Sequence, residues 1–299
     1  MNADEAPPRW FTRAPFVGPL DSPPPGEAAS VEFGARSRQG PRRPSNDDHH
    51  LILRLGRHQE TLMTSLPASS IPPSFDEFGY GMLVADGIGG DGETASRLAI
   101  TTFEHLMVQF GKWNLRIDEW IAEEVKDRGQ RFYRAVDAAM QQARRVNEAT
   151  LQSTLTAAFS AGSELFFAHV GHSRVYLYRE RELVQLTHDH TLASTGVNRA
   201  AFVDVAASVQ DQHHVLTNTM GKPSGGGPTI EIERFGLLDG DVVLLCTNGV
   251  SDALNDPRIA AVLAQRQTPD DQCRTLVDMA MEEGSEDDAT ALVAHYRFP

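Results

Sequence analysis

The sequence predicts an α+β protein in which β-strands stack in the middle and pairs of helices lie on the outside. Three observations lead to this prediction. Two amphipathic helix patterns follow each other in the first half of the chain, a train of short strand-like runs comes next, and a second pair of helix patterns precedes a final strand. Since 40% of the 299 residues are hydrophobic, the chain can bury a sizeable core between such layers.

The composition limits the classes of function. The chain has 41 acidic and 27 basic side chains, and its formal charge of -14 argues against a nucleic-acid-binding face. Cys246 and Cys273 lie in apolar patterns without zinc-type spacing, so we expect reduced core residues in a cytoplasmic protein. The start of the chain lacks a secretion signal, and no run has the length needed to cross a bilayer, so we expect no membrane partner.

The elements are predicted in chain order. Residues 1–30 are rich in proline and lack hydrophobic periodicity, which predicts a disordered or loosely docked tail before one domain at residues 31–299. A strand begins near Val31, and a polar turn then leads into a strand at His50–Leu55. After a loop near Pro67–Ser74, the chain enters the stretch around which we expect the molecule to be organised.

This central stretch is Tyr80–Leu98. Met82–Ala85 predict a buried strand, and the glycines after Asp86 predict a sharp turn. A helix pattern follows from about Glu93. The turn therefore places an aspartate at the end of a strand, although a glycine-rich turn of this kind can also hold a phosphate or only reverse the chain.

The remaining elements follow from the same patterns. A second amphipathic helix presents an apolar face that includes Trp120, as the first includes Phe110. An antiparallel series of strands, an irregular flap from Leu186 to about Pro228, and a last group of strands and helices complete the chain. The expected ranges of the regular elements are Thr154–Ser160, Leu165–Val170, Val175–Tyr178, Leu183–Leu186 and Asp241–Thr247, helices Pro257–Gln265 and Pro269–Glu283, and strand Ala289–Tyr296.

Acidic and amide side chains recur at the predicted strand ends. They are Asp47, Asp48, Asp86, Asn248, Asp287 and Asp288. Oxygen ligands without cysteine suit hard cations such as Mg²⁺ or Mn²⁺, and carboxylates that converge at one sheet edge need cations to offset their repulsion. Taken one at a time, these residues fit equally well as solvated turn charges. His188 and His190 also look like metal ligands when taken in isolation.

Five short motifs occur in an order that identifies a family. They are G-x-x-R-x-x-N-x-D at Gly40–Asp48, V-A-D-G-x-G-G at Val84–Gly90, V-G-x-S-R at Val170–Arg174, L-T-x-D-H at Leu186–His190 and D-x-x-T at Asp287–Thr290. The chain from residue 31 to 299 thereby resembles the metal-dependent protein phosphatases of the PP2C-like family in their bacterial form. The resemblance implies a four-layer α-β-β-α sandwich, with two central antiparallel sheets flanked by helix pairs and two Mn²⁺ or Mg²⁺ ions at one edge.

The resemblance also implies roles for individual residues. Asp86 would bridge the two metals, the carbonyl of Gly87 would bind one of them, and Asp287 would bind the other. Asp47 and Asp48 would hold waters of the metal shell or complete it, and the T-x-D-H stretch that carries His188 and His190 would be a structural motif. Arg43 would grip the phosphate, because a guanidinium fork matches phosphoryl oxygens, and Arg43 and Asp86 are therefore the expected catalytic residues.

The implied activity is hydrolysis of phosphoserine and phosphothreonine in proteins by a water that the two metals activate. The expected partner is a phosphorylated protein, opposed by a Ser/Thr kinase. Two positions depart from the family: His172 replaces an aspartate associated with a third metal, so we expect two ions, and Asn248 replaces an aspartate of the core site. These departures leave open a catalytically weak or inactive member that binds phosphoproteins or a regulatory partner. A hydrolase of small phosphorylated metabolites is a further alternative.

Overall fold

The computed structural model describes residues 30–67, 70–112, 117–147, 150–194, 215–223 and 226–299. These residues form two antiparallel sheets. The first sheet contains β1 (Ser30–Arg38), β7 (Arg174–Arg179), β8 (Glu182–Gln185), β10 (Val242–Cys246) and β11 (Ala289–Arg297), in the spatial order β1-β11-β10-β7-β8. The second contains β2 (Asp48–Glu60), β3 (Ser74–Ile88), β4 (Gln152–Ser153), β5 (Leu155–Ala161), β6 (Glu164–Val170) and β9 (Glu231–Gly236), in the order β2-β3-β5-β6-β9, with β4 beside β3.

The helices of the described residues lie in two groups. Their bounds are α1 (Gly92–Phe110), α2 (Glu119–Asn147), α3 (Asn248–Ser251), α4 (Asp256–Leu263) and α5 (Pro269–Glu282). Helices α1 and α2 share an apolar cluster with the second sheet, whereas α3, α4 and α5 share one with the first sheet. A third apolar cluster fills the space between the two sheets. The molecule therefore has four layers, and the predicted α-β-β-α sandwich is confirmed.

Strand β3 shows how one sequence serves two of these apolar clusters. Met82 and Val84 face the other sheet, and Leu83 and Ala85 face the helices. Because successive side chains of a strand point to opposite faces, a strand in an inner layer must be apolar at every position. This requirement explains the uninterrupted apolar run that precedes Asp86.

The starts of α4 and α5 follow from local sequence. Asn255 and Thr268 cap these helices, accepting hydrogen bonds from the backbone N–H groups of Arg258 and Asp271. A proline stands in the first turn of each helix, where its missing N–H costs no hydrogen bond. Both helices lie within one or two residues of their predicted bounds.

Two side chains expected on apolar helix faces are instead exposed. Trp120 is 62% exposed and Phe110 is 65% exposed. The next residues of α2, Ile121 and Ala122, enter the core, and a helix turns about 100° per residue, so Trp120 points outward. Phe110 is the last residue of α1, beyond the buried segment that ends at Phe103. Both placements on the apolar faces were wrong.

Other differences concern the extent of the elements. Strands β2 and β3 are longer than predicted and pair as a hairpin, and β9 and β4 were not predicted. The proposed flap lies mostly outside the described residues, at 195–214. The predicted tail does too, apart from Ser30, which begins β1. In the described part of the chain, none of the helices combines the length and the apolar character needed to cross a membrane.

Candidate metal centre

The hairpin of β2 and β3 brings the first two carboxylates together. Asp48 begins β2 and lies directly opposite Asp86, near the end of β3. Opposed residues of an antiparallel pair point to the same face and lie close together. Both side chains are buried, with 5% of each residue exposed. Two residues that are 38 positions apart in sequence are thereby fixed side by side.

The other sheet supplies the next oxygen-bearing groups at the same end of the sandwich. Asn248 follows β10, and Asp287 precedes the neighbouring strand β11. The Asn248 amide Nδ2 donates to Asp287 Oδ2 at 3.3 Å. The hydroxyls of Thr247 and Thr290 each donate to Asp48 Oδ2 at 2.7 Å. These two hydrogen bonds connect the sheets at the rim where the acidic residues meet.

Backbone contacts hold Asp86 in place. Its N–H donates to Thr154 Oγ1 at 2.9 Å, and its carbonyl accepts from Thr154 N and Ser153 Oγ, both at 2.9 Å. Ser153 ends β4 and Thr154 lies between β4 and β5, and neither residue was predicted to belong to the site. Their hydroxyls lie next to a buried aspartate only because β3, β4 and β5 pair.

Arg43 lies at the edge of this acidic group. Its Nε and Nη2 donate to Asp287 Oδ1 at 2.8 and 2.5 Å. Its Nη1 lies 3.8 Å from Asp47 Oδ2, beyond hydrogen-bonding distance. The structure therefore places Arg43 among the predicted ligands, with one nitrogen that can donate to another group.

Gly87 and Asp47 meet at the start of α1. Gly87 N–H donates to the carbonyl of Asp47 at 3.1 Å. A Cβ added at Gly92 would contact both Asp47 Oδ2 and the carbonyl oxygen of Gly87. The two predicted ligand oxygens therefore lie beside the same glycine, and the small size of that residue keeps the space between them open.

Asp288 has a different position from the other acidic residues. Its two carboxylate oxygens accept hydrogen bonds from Gly40 N at 2.8 Å and from Asp47 N at 2.7 Å. Both oxygens are therefore used to hold the turn that carries Arg43 and Asp47. The structure indicates a positioning role for Asp288.

The carboxylates perturb one another. Burial raises the pKa of Asp86 well above its usual range, and the nearby charges of Asp48 and Asp287 raise it further. Burial also raises the pKa of Asp48, while hydrogen bonds from Thr247 and Thr290 oppose this effect. Buried carboxylates that repel one another in this way are stabilised in the charged form by a cation.

Two buried oxygens of the group lack hydrogen-bond partners among the described residues. They are Asp48 Oδ1 and Asn248 Oδ1. Buried polar atoms in folded proteins are nearly always satisfied, so these oxygens indicate a missing partner. Since the surrounding donors are carboxylate, amide and carbonyl oxygens, the group fits a hard divalent cation. Assignment of Asp47, Asp48, Asp86, Gly87, Asn248 and Asp287 as ligands stays a prediction.

A histidine that was expected only as a departure from the family lies beside Asp86. His172 Nε2 is 3.9 Å from Asp86 Oδ2, and both side chains are buried. His172 stands in the link between β6 and β7, which belong to different sheets. The spacing of residues in the sequence does not predict that His172 lies beside Asp86, because the two residues meet only where the link crosses from one sheet to the other.

A second histidine group, His169, His190 and Glu231, has ligand atoms within 4.8 Å of one another. Its hydrogen bonds argue against a metal. His169 contacts Thr156 Oγ1 and the carbonyl of Gly171 through its two ring nitrogens, at 2.8 and 3.0 Å. The Nδ1 of His190 accepts from Gly171 N at 3.1 Å, so its Nε2 carries the proton in the neutral ring. This geometry supports the structural interpretation of His190.

Comparisons with known proteins identify the family of the chain. A family model described as protein phosphatase 2C matches residues 76–283. Serine/threonine protein phosphatase PstP of Mycobacterium tuberculosis is 28% identical over 226 residues, covering 71% of this chain but only 40% of PstP. Protein phosphatase PhpP of Streptococcus pneumoniae is 27% identical over 219 residues, covering 71% of this chain and 85% of PhpP.

Solved structures share the fold. A serine/threonine phosphatase of S. agalactiae superposes with a TM-score of 0.69 at 22% identity, covering 89% of this chain and 99% of that chain. The catalytic domain of PstP, solved in complex with two manganese ions, superposes with a TM-score of 0.64 at 24% identity, covering 90% and 99% of the two chains. Because the family model spans more than half of the sequence, this chain belongs to the protein phosphatase 2C family.

Proposed function

We propose that this chain hydrolyses phosphoserine and phosphothreonine in proteins at a site that holds two divalent ions, Mn²⁺ or Mg²⁺. The observation that carries the proposal is the pair of buried oxygens without hydrogen-bond partners, Asp48 Oδ1 and Asn248 Oδ1, which suit a divalent cation among converging carboxylates. Membership of the protein phosphatase 2C family supports it. The catalytic domain of PstP forms a complex with two manganese ions, which supports the number and kind of ion.

The proposed ligands are the oxygens of Asp86, Asp287, Asp48 and Asn248, with the Gly87 carbonyl and Asp47 beside them. When bound, two such ions would supply an activated water and offset the charge that develops on the phosphoryl oxygens. The protein itself holds the carboxylates in register, because Asp86 is fixed through its backbone by Thr154. Arg43 binds the phosphate through Nη1, which lies beyond hydrogen-bonding distance of Asp47, while Asp287 orients the rest of the guanidinium.

We also propose the cellular setting. The relatives are named serine/threonine phosphatases, so the substrate is a phosphorylated protein and its natural opponent is a Ser/Thr kinase. The charge of -14 opposes binding to nucleic acid and to anionic membranes, which favours action in the cytoplasm.

The test is release of phosphate from a phosphothreonine peptide at millimolar Mn²⁺. Asp86→Asn should lower the rate at least about 100-fold, since loss of a ligand should cost no less than loss of a supporting contact. Asp76→Asn is the matched control, because Asp76 is an exposed aspartate at the other end of β3. The proposal fails if the wild type is inactive, or if both variants behave alike.

A second candidate is a weakly active or inactive member that binds phosphoproteins or a regulatory partner. Asn248 favours this alternative, because its amide supplies an oxygen without the negative charge of the aspartate found in related motifs. The alternative gains if the wild type binds the phosphothreonine peptide with Asp86-dependent affinity yet releases no phosphate at any Mn²⁺ concentration.

A further inference from the structure

The link between β6 and β7 crosses from one sheet to the other at the rim that carries Asp86. Gly171 within it has a φ of 121°, and a Cβ there would collide with Thr154, so the link depends on glycine. Its carbonyl accepts from His190 N at 2.7 Å and from His169 Nε2 at 3.0 Å. The second histidine group therefore holds this link in one conformation.

The next two residues connect the link to Asp86. Ser173 Oγ lies 3.1 Å from Thr154 Oγ1, and the Thr154 hydroxyl accepts a hydrogen bond from the N–H of Asp86. His172 stands between these fixed neighbours. Its Nε2 lies 3.9 Å from Asp86 Oδ2, and the two side chains are only 8% and 7% exposed. The ring is thus positioned toward the carboxylate inside the protein.

The separation between His172 Nε2 and Asp86 Oδ2 allows both atoms to bind one ion. Atoms held about 2.1 Å from the same cation lie at most about 4.2 Å apart, so 3.9 Å is within reach of a shared ion. Asn248 also leaves the oxygen set one carboxylate short of the family motif. Imidazole is a ligand that transition metals accept more readily than Mg²⁺, which prefers oxygen.

We propose that His172 supplies its Nε2 as a nitrogen ligand to the cation bound by Asp86, and thereby biases the site toward a transition-metal ion over Mg²⁺. This inference rests on the metal centre of the proposed function. It adds a ligand of a different element to a site predicted from oxygen atoms alone.

The experiment uses the full chain loaded with Mn²⁺ and reads bound nitrogen by pulsed electron paramagnetic resonance. The wild type should show ¹⁴N coupling from a directly bound imidazole. His172→Gln and His172→Asp should lose this coupling, whereas His188→Gln should keep it, because His188 is an exposed histidine that contacts Glu231 instead. The ratio of Mn²⁺ to Mg²⁺ affinity, measured by competition, should fall about tenfold in His172→Asp.

The outcomes separate the two proposals. Mn²⁺ binding that requires Asp86 but shows no ¹⁴N coupling in the wild type overturns the role of His172 and leaves the proposed function standing. Absence of Asp86-dependent Mn²⁺ binding overturns both. A ¹⁴N coupling that persists in either folded His172 variant also overturns the role of His172, because another residue must then supply the nitrogen.

Discussion

Asn248 is the residue at which this chain differs most directly from the family's oxygen set. Its Oδ1 is buried without a hydrogen-bond partner among the described residues, while its Nδ2 donates to Asp287. The amide therefore joins the carboxylate group without adding to its repulsion. This arrangement favours the metal-free fold at the expense of cation affinity.

We predict that Asn248→Asp tightens Mn²⁺ binding about tenfold, because affinity for hard cations rises with the charge of the ligands. The same change should lower the stability of the metal-free protein, since a carboxylate at this position repels Asp287. Titration calorimetry and urea unfolding measure the two effects. Asn255→Asp is the matched control, because it adds the same charge at an exposed helix cap. Equal Mn²⁺ affinity in both variants would contradict the prediction.

His169 gives the fold a dependence on pH. Burial, and to a smaller extent the nearby His190, lower its pKa to about 3. Below about pH 6.5, the unfolded chain therefore binds a proton at this histidine that the folded chain does not bind. The free energy of unfolding that is present above that pH is then lost as the pH falls, by about 1.4 kcal/mol per pH unit.

Between pH 7 and pH 5, we expect His169→Gln to lose about 2 kcal/mol less stability than the wild type, because the variant no longer carries this group. Urea unfolding at the two pH values measures the difference. His105→Gln, an exposed histidine on α1, should retain the wild-type dependence. A slope that His169→Gln leaves unchanged would show that other groups dominate.

At the scale of single residues, the sequence predicted which residues belong to the site better than it predicted the role of each one. The carboxylate and amide residues of the rim were recognised from strand ends, whereas the hydroxyls of Thr247, Thr290, Ser153 and Thr154 were not. The distinct role of Asp288 was not, because both its oxygens accept backbone N–H groups whose positions depend on the folded turn. His172 was noted only as a replacement, since its approach to Asp86 requires both sheets to be in place.

The turn between β3 and α1 is the element on which the rim depends. A Cβ at Gly87 would overlap the carbonyl group of Gly92, so the strand end and the helix start pack backbone against backbone. At Gly90, in the same turn, an added Cβ would meet no heavy atom within 4 Å. Gly90 therefore has room for a larger side chain, whereas Gly87 does not.

We predict that Gly87→Ala costs about 3 kcal/mol or more, because two backbone segments must separate to admit the methyl group. Gly90→Ala should change stability by no more than about 0.5 kcal/mol. Denaturant midpoints of the two variants provide the measurement. If both substitutions cost the same, the close approach of Gly87 and Gly92 is not what stabilises the turn.

Hydrophobic periodicity predicted most of the helices and strands, but it assigned a few side chains to the wrong face of a helix. Helices α4 and α5 were predicted within two residues of their observed bounds, and the structure adds that Asn255 and Thr268 cap them. Trp120 was misplaced because an apolar residue one position from the true stripe looks the same in sequence. Strand β9 shows only weak alternation of apolar and polar residues. It is defined by its pairing with β6, which cannot be predicted from the local sequence.

At the scale of the whole molecule, the candidate centre belongs to both sheets. Asp48 and Asp86 come from one, Asn248 and Asp287 flank strands of the other, and the hydroxyls of Thr247 and Thr290 reach across. The layers could be predicted from the order of helices and strands. Only the family motifs predicted that these side chains would lie close together. Local sequence patterns do not specify the antiparallel register of a hairpin as long as that of β2 and β3.

The pairing of β1 with β11 has a further consequence. Ser30 is the register partner of Arg297, so the first and last strands of the described chain begin and end side by side. A linker of about four residues could close the backbone into a ring. New ends could then be opened after Met63, which is 94% exposed beyond the end of β2.

We expect this circular permutant to unfold in one cooperative transition, near the urea midpoint of a chain trimmed to residues 30–299. Opening the ring at Gly129 instead should abolish the transition, because that cut divides α2. A permutant opened at Met63 that does not fold would mean that chain order, and not only the pairing of neighbours, is needed to assemble this sandwich.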